Sequence, residues 1–520
     1  MTTIREWRNS FTLINRIPTD ILSLIPTYLP TQKDRFHAAS VCRHWRGILL
    51  KHGALWSQLF LRRGEECVST LLKRAKGSAL DIFTRYDDPD GTTALISPRA
   101  QQIRYLEFIT NHWKDIIMFS EFNSGKLPLL RTLRIIYPTI IDSDGQPNTA
   151  VPPSLPFFEG SVNLGQFVFF SRNLSYLSHF IFPNLTTFEL ASRPGEECSA
   201  SYLFDFLKAS PLLQTVKVKI TAKVVLRGIP QETVVVLPNV KTLSLHVDDG
   251  PTTYVSDIAT HISCPRARNM SLINGMDDIR TSPDLKIFPT PIPWSTIVHQ
   301  HTTNSVEEVT LQIKNPTSQD IESFLTFRSS DAIIVRLGFN IDETDADEDE
   351  LNMPRAEMGW EIFSQALRAI RDHSLLSHVK RLQFEYRAAI SDTYGVLRRA
   401  AEILEILGSL GPLDALTICG CDLHVFLADF LHNPVLDESD PIVFPRVNQL
   451  TILHPVMEED EFECMNAIVG LAQSQHALGI PFERVTVRRW SLPTGMAEEL
   501  GRWVGAVDCC EEWYTGEQDV

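Results

Sequence analysis

Long apolar runs are what this chain most plainly lacks. No stretch reaches the roughly 18 consecutive apolar residues that a bilayer-spanning helix needs, so no membrane segment is expected. The opening residues, MTTIREWRNSFTLINR, carry no apolar core of the secretory-signal kind. The expected compartment is the cytoplasm, the nucleus or both. Cysteine is sparse and odd in number: nine in 520 residues, with CGC (Cys419, Cys421) and CC (Cys509, Cys510) the only close groupings. Zinc sites need paired short spacings such as C-x-x-C with a second pair or histidines, and none is present. The cysteines read as reduced thiols, and no metal or cofactor is expected. Catalytic signatures are missing too. There is no phosphate-cradling G-x-x-x-x-G-K-[ST], no G-x-G-x-x-G after a strand, no H-E-x-x-H and no G-x-S-x-G. The histidines are scattered, and the pair His299 and His301 falls in an expected loop. The chain is expected not to be an enzyme.

Acidic residues are scarce in one region only. Residues 1–76 hold 13 Lys/Arg and 5 Asp/Glu, a local charge of +8, which leaves −24 on the rest of a chain whose net charge is −16. Such asymmetry predicts an N-terminal part that meets an acidic partner. Nucleic acid is one candidate, but an acidic body repels phosphates within a Debye length of about 8–10 Å, and an acidic protein fits at least as well; of the two the protein is the expected partner, with no nucleic acid and no membrane. The length sets a second bound. Chains beyond about 250–300 residues split into domains or become repeat arrays.

The basic region has helical patterning. In IPTDILSLIPTYLP, Pro18 suits the first turn of a helix. Ile17, Ile21, Leu24, Ile25, Tyr28 and Leu29 then recur at helical spacing. Pro26 is predicted to kink or end that helix near Ile25. Thr31 is a predicted N-cap, with Asp34 three positions on. The stretch RFHAASVCRHWRGILL is helix-compatible throughout, with Gly53 as its stop, and ALWSQLFL follows as a short amphipathic piece. A module of this size buries little core of its own, yet this one holds more large apolar side chains than its interior can hide. Trp and Arg are the commonest interface anchors, so VCRHWRGILLKHGALW reads as a docking surface completed by a partner. The alternative, that Trp45 and Trp56 pack onto the following domain, stays open at this point.

The order Ile17-Pro18, Ile21-Leu22, Ile25, Tyr28-Leu29-Pro30, Val41-Cys42-Arg43, Trp45-Arg46 and Leu55-Trp56 resembles the F-box. Ile17 stands for the family's usual Leu, Asp20 for Glu and Pro26 for Phe. The resemblance implies docking on the Skp adaptor, which is acidic, and through it on a cullin–RING ubiquitin ligase. It further implies that Ile17, Pro18, Ile21, Leu22, Ile25 and Leu29 face the adaptor. Val41, Cys42 and Trp45 would lie near the same surface, and Trp56 would brace the third helix.

The remainder carries a recurring Φ-x-x-Φ-x-Φ pattern, often led by proline: PLLRTLRI (128–135), PNLTTFEL (183–190), PLLQTVKV (211–218), PNVKTLSL (238–245), PRARNMSL (265–272) and PRVNQLTI (445–452). VEEVTLQI, VKRLQFEY, LDALTICG and FERVTVRR lack the proline, and AIIVRLGF is looser. Aligned on the second Φ, Val216, Leu243 and Met270 are 27 apart, Val309 and Val335 are 26 apart, and Leu382, Leu416, Leu450 and Val485 step by 34, 34 and 35. Helix-patterned stretches lie between, at 199–210, 252–263, 359–374, 395–410 and 460–475. Repeats of about 20–29 residues with L-x-x-L-x-L indicate leucine-rich repeats, and this part resembles the divergent repeats of many F-box proteins. The usual Asn/Cys position is mostly lost, with Pro138, Arg193 and Asp248 there, although Cys421 fits. The interval from Leu133 to Phe188 is 55 residues, room for an unrecognised unit, an insertion or both. An ordinary α/β domain is the rival reading.

The expected organisation is α/β: a tail (1–15), a small all-α F-box module (16–61), a helical linker or cap (62–120) and a leucine-rich-repeat-like α/β solenoid, or horseshoe (121–520). Segments 142–156, 283–294 and 342–350 are expected loops. The last has seven carboxylates in nine residues, but Asp347 occupies the position where a calcium loop needs Gly. The expected function is a substrate receptor of a Skp–cullin–F-box ligase, binding an unknown target through its repeats. The alternative is a scaffold outside any ligase, with a degenerate F-box.

Overall fold

The computed structural model describes residues 17–29, 31–85, 94–110, 127–137, 163–171, 174–192, 198–221, 224–225, 234–248, 255, 258–259, 261–276, 306–314, 320–329, 334–342, 379–387, 412–420, 446–453, 461–488 and 495–510. The helices expected at 359–374 and 395–410, half of that at 252–263, and the three expected loops apart from Asp342 lie outside them. The chain divides into two compact units, Met1–Val216 with Val225–Ile229, and Lys217–Val224 with Pro230–Val520.

The first unit opens with short helices: α1 (Thr19–Leu24), a 3-10 turn (Ile25–Tyr28), α2 (Gln32–Ser40), α3 (Arg43–Leu49) and a second 3-10 turn (Gly53–Trp56). A parallel sheet follows at once: β1 (Gln58–Phe60), β2 (Leu80–Thr84), β3 (Ile103–Ile109), β4 (Thr132–Tyr137), β5 (Gln166–Ser171) and β6 (Thr187–Ser192). Within the segment 62–120, expected to be a helical linker or cap, the described residues supply α4 (Glu65–Ala75), β2 and β3. These strands lack the leading proline that marked the later ones, so the pattern did not reveal them. The 55-residue interval holds a further strand, β5, between β4 and β6.

One register line explains the core. Leu59, Ile82, Leu106, Leu133, Phe167 and Phe188 are successive cross-strand partners, all buried. Val68, Leu71 and Leu72 of α4 are buried too, as are Leu203, Phe204 and Leu207 of α5 (Ser201–Lys208), the helix expected within 199–210. Phe167 packs 5.1 Å from Phe180 and 5.0 Å from Phe182, and Phe188 lies 4.5 Å from Phe206. Each fully buried ring contributes about 1.5–3 kcal/mol. Tyr137, Ser171 and Ser192 are successive cross-strand partners, all buried, and Thr110, whose N–H donates to the Ile136 carbonyl, is buried beside them.

The other face of this sheet is part-exposed and stacked. Phe60 lies 4.7 Å from Phe83, and Phe83 lies 5.1 Å from Tyr105. The Tyr105 hydroxyl donates to Glu107 at 2.7 Å, and Arg134 donates to the same carboxylate oxygen at 3.3 Å. A bulge between β2 and β3 inserts Arg104, whose guanidinium forks onto Asp81 at 2.9 Å, as bulges commonly re-aim one side chain.

The second unit contains β7 (Thr215–Thr221, from Lys217 onward), β8 (Thr242–Asp248), β9 (Asn269–Met276), β10 (Val306–Lys314), β11 (Asp320–Ser329), β12 (Ile334–Asp342), β13 (Arg381–Arg387), β14 (Leu413–Gly420), β15 (Val447–Leu453), α6 (Glu461–Ala477), β16 (Arg484–Arg488), α7 (Met496–Leu500) and β17 (Val507–Cys510). The second-Φ alignment is the register here as well: Leu243 pairs with Met270, and Leu382, Leu416, Leu450 and Val485 are successive partners. The pattern misleads at one place. Val309 and Val335, read as adjacent repeats, are separated by β11. The strand order is β9-β12-β11-β10-β13, with β11 antiparallel to both neighbours, so Val335 pairs with Met270 and Val309 with Leu382. Periodicity sets which face is buried but not which strand lies next. Helix α6 covers the stretch expected at 460–475. No described helix is long and apolar enough to cross a membrane, and no described cluster of His, Cys, Asp and Glu is placed to hold a metal.

Candidate docking site

Pro18 precedes α1 with an extended backbone, and its carbonyl accepts the Leu22 N–H at 2.9 Å, opening the first helical turn. Pro26 has no N–H to return to Leu22, and its ring would crowd that carbonyl in a regular helix. The chain answers by tightening: α1 ends at Leu24 and Ile25–Tyr28 turn as 3-10. Thr31 caps α2. Its hydroxyl accepts from the Asp34 N–H at 3.1 Å and donates to the Asp34 carboxylate at 2.5 Å. The continuous helix expected from Arg35 to Leu50 is instead two. Cys42 is extended, and its sulfur accepts from the Trp45 N–H at 3.4 Å, capping α3. The ALWSQLFL stretch, read as a short amphipathic piece, is a 3-10 turn running into β1.

The large apolar residues then sort into two groups. Leu22, Trp45, Leu49, Leu55 and Trp56 are buried. Trp56 is the keystone: its indole N–H donates to the Leu49 carbonyl at 2.9 Å, its ring lies 5.3 Å from Phe36, and the Arg74 guanidinium covers it at 5.2 Å. Thus Trp56 joins the end of α3 to α4 of the following sheet. Arg35, itself buried, donates to the Gln58 side chain of β1 at 3.0 Å and to the Leu29 carbonyl at 3.4 Å. Both tryptophans are therefore interior, and Leu22 and Trp45, expected at the partner-facing surface, are occupied in holding the helices together.

The second group faces solvent. Ile21 and Leu24 are each 48% exposed, Tyr28 84% and Val41 61%. Ile21, Leu24 and Tyr28 are spaced i, i+3, i+7 along α1 and its 3-10 extension, which sets them on one side. Leu24 and Tyr28 were read from the sequence only as helix-face residues; their exposure is what separates them from core. Pro18 is exposed, and Ile17, Ile25, Leu29 and Cys42 are half-buried. Exposed Lys33, Arg43, His44, Arg46 and Lys51 lie among the same helices, and Arg46 is anchored by donating to the Ala39 carbonyl at 3.2 Å. The arrangement is a self-sufficient small core with apolar side chains left over, set in a basic field. It has docking chemistry.

Residues 14–62 match the F-box-like family model. The F-box-like segment includes all five helical elements above and ends just beyond β1, so it takes in the first strand of the sheet. No curated protein matches the chain.

Proposed function

We propose that the F-box-like segment docks this chain on a Skp-type adaptor, and that the chain is a substrate receptor of a Skp–cullin–F-box ubiquitin ligase. The observation that carries the reading is the surplus: Ile21, Leu24, Tyr28 and Val41 stay exposed although the segment's own core is filled by Leu22, Leu49, Leu55 and Trp56. Isolated exposed apolar residues are ordinary, but a set on one helical side marks an interaction surface. In this reading the repeated strands form a leucine-rich-repeat-like solenoid that holds a target protein. The ligase acts by proximity, since tethering a target beside a charged conjugating enzyme raises its effective concentration. The chain contributes no catalytic residue. The 3-10 turn at Pro26 bears on the alternative, a scaffold with a degenerate F-box. Because the turn keeps Tyr28 on the side of Ile21 and Leu24, the proline removes a helical hydrogen bond without dispersing the apolar side.

The test is co-purification of the full chain with a Skp adaptor and a cullin–RING core, followed by mass spectrometry of ubiquitylated species. The receptor reading expects a stoichiometric complex that Ile21→Asp abolishes. A complex that forms equally well with Ile21→Asp sinks the assignment of this surface, and failure of the native chain to bind any Skp adaptor favours the scaffold.

A further inference from the structure

The second unit carries a patch of positive charge that adaptor docking does not use. Across the described residues 234–248 and 261–276 the sequence holds Lys241, Arg266 and Arg268 against a single carboxylate, Asp248, which ends β8 at the opposite end from Lys241, in a chain with 64 acidic residues and a net charge of −16. All three cations are exposed. None makes an ion pair among the described residues. Lys241 immediately precedes β8 and Arg268 immediately precedes β9, and these strands are parallel neighbours. The backbone fastens the two together: the N–H groups of Arg268 and Asn269 both donate to the Lys241 carbonyl, at 2.8 and 3.0 Å. Neighbouring strands lie about 4.7–4.9 Å apart, so two like charges are held side by side at the strand starts. Like charges set opposite one another on adjacent strands are destabilising, and an anion bridging them removes that cost. Buried Ala267 fixes the turn between Arg266 and Arg268, so the third cation is held by a packed turn. Lys217 and Lys219 are exposed on the adjoining strand β7, alternating with buried Val216, Val218 and Ile220.

From this charge complementarity we propose that the rim formed by Lys241, Arg266 and Arg268 binds an acidic segment of a partner protein, its anionic groups being carboxylate or phosphoryl. This deepens the target-binding half of the function proposed above, and its test does not involve the adaptor. The geometry favours a short segment over a nucleic acid. A polyanion long enough to follow the sheet meets a body of opposite preference, whereas a few anionic side chains meet only the local patch, within the screening distance of about 8–10 Å.

The experiment is fluorescence anisotropy of the full chain with three labelled probes: a ten-residue oligoglutamate, a serine-containing peptide in phosphorylated and unphosphorylated forms, and a single-stranded oligonucleotide. The native chain is expected to bind oligoglutamate or the phosphopeptide, with affinity falling as salt rises. The triple variant Lys241→Glu/Arg266→Glu/Arg268→Glu should lose at least about tenfold in affinity. Arg502→Glu, an exposed position on another turn of the same unit, should change it by less than about twofold. Preference between the two anionic peptides assigns carboxylate or phosphoryl as the recognised group. The proposal is overturned if neither peptide binds, if Arg502→Glu weakens binding as much as the triple variant, or if the oligonucleotide binds more tightly than both peptides. Unchanged thermal melting of the triple variant ties the loss to charge and not to folding.

Discussion

Trp56 and Ile21 are both large, apolar and inside one short segment, yet they do opposite work. Trp56 is 1% exposed and is gripped by Leu49, Phe36 and Arg74. Trp56→Ala leaves a cavity and removes the indole's hydrogen bond to the Leu49 carbonyl, and should destabilise the first unit by about 3–5 kcal/mol, read as a lower midpoint in urea. Ile21→Asp removes an exposed side chain and should leave the midpoint within about 0.5 kcal/mol while removing adaptor binding. Residue type was legible in the sequence, but direction was not: the apolar pattern of the segment includes Ile21, Leu22, Trp45 and Trp56 without saying which of them faces in. Core and interface use the same apolar residues, and only the packed helices separate them. Tyr105 supplies a pH prediction at this scale. Burial first, then its hydrogen bond to Glu107 and that carboxylate's negative charge, push its phenol from 10.0 up to about 12. The neutral phenol is the form the fold favours. Its contribution to stability is thus fully present below pH 10.0 and is lost as pH rises through about 12. Absorbance titration should show a late-ionising component that shrinks by one tyrosine in Tyr105→Phe; a variant curve identical to wild type at high pH contradicts the hydrogen-bonded arrangement.

Elements were legible where a local rule decides them. The turn at Pro26, the Thr31 cap and the strands that follow a proline each rest on backbone chemistry written within a few residues. Elements set by distant contacts were not. The break at Cys42 interrupts a helix-compatible run, because α2 and α3 pack against each other and their junction must bend. Strands β1, β2, β3 and β5 lack the proline marker, and the β10–β12 inversion leaves the alternation intact while exchanging neighbours. The joint between the helical segment and the sheet is another such feature. A Cβ on Gly53 would stand 2.5 Å from the Ala75 carbonyl oxygen and 2.8 Å from the Ser78 hydroxyl oxygen, so the turn must lie directly against the end of α4. Gly53→Val should therefore cost about 1–3 kcal/mol by overpacking and expose the joint to protease. Gly47 has open space around its position, and Gly47→Ala, in the interior of α3, should instead stabilise by about 0.4–1 kcal/mol. Limited proteolysis and urea melts of the two variants check both signs.

The whole molecule is divided by charge, with +8 on residues 1–76 and −24 on the rest. That asymmetry was visible in composition alone, and the structure adds that the basic end carries four exposed apolar side chains, Ile21, Leu24, Tyr28 and Val41. Steering by opposite charge acts on encounter more than on the final contacts. Adaptor association should therefore slow by roughly tenfold between low and high salt, with a much smaller change in dissociation, as stopped-flow mixing can read. The central claim is that the exposed side of α1 and Val41, not the buried tryptophans, forms the adaptor contact. Isothermal titration of a purified Skp adaptor into the full chain and into Ile21→Asp/Val41→Asp tests it most directly, with melting curves recorded on the same samples. The account predicts one-to-one binding by the native chain, loss of at least about 100-fold in affinity for the double variant, and equal melting temperatures. Equal affinity of the native chain and the folded double variant would contradict it.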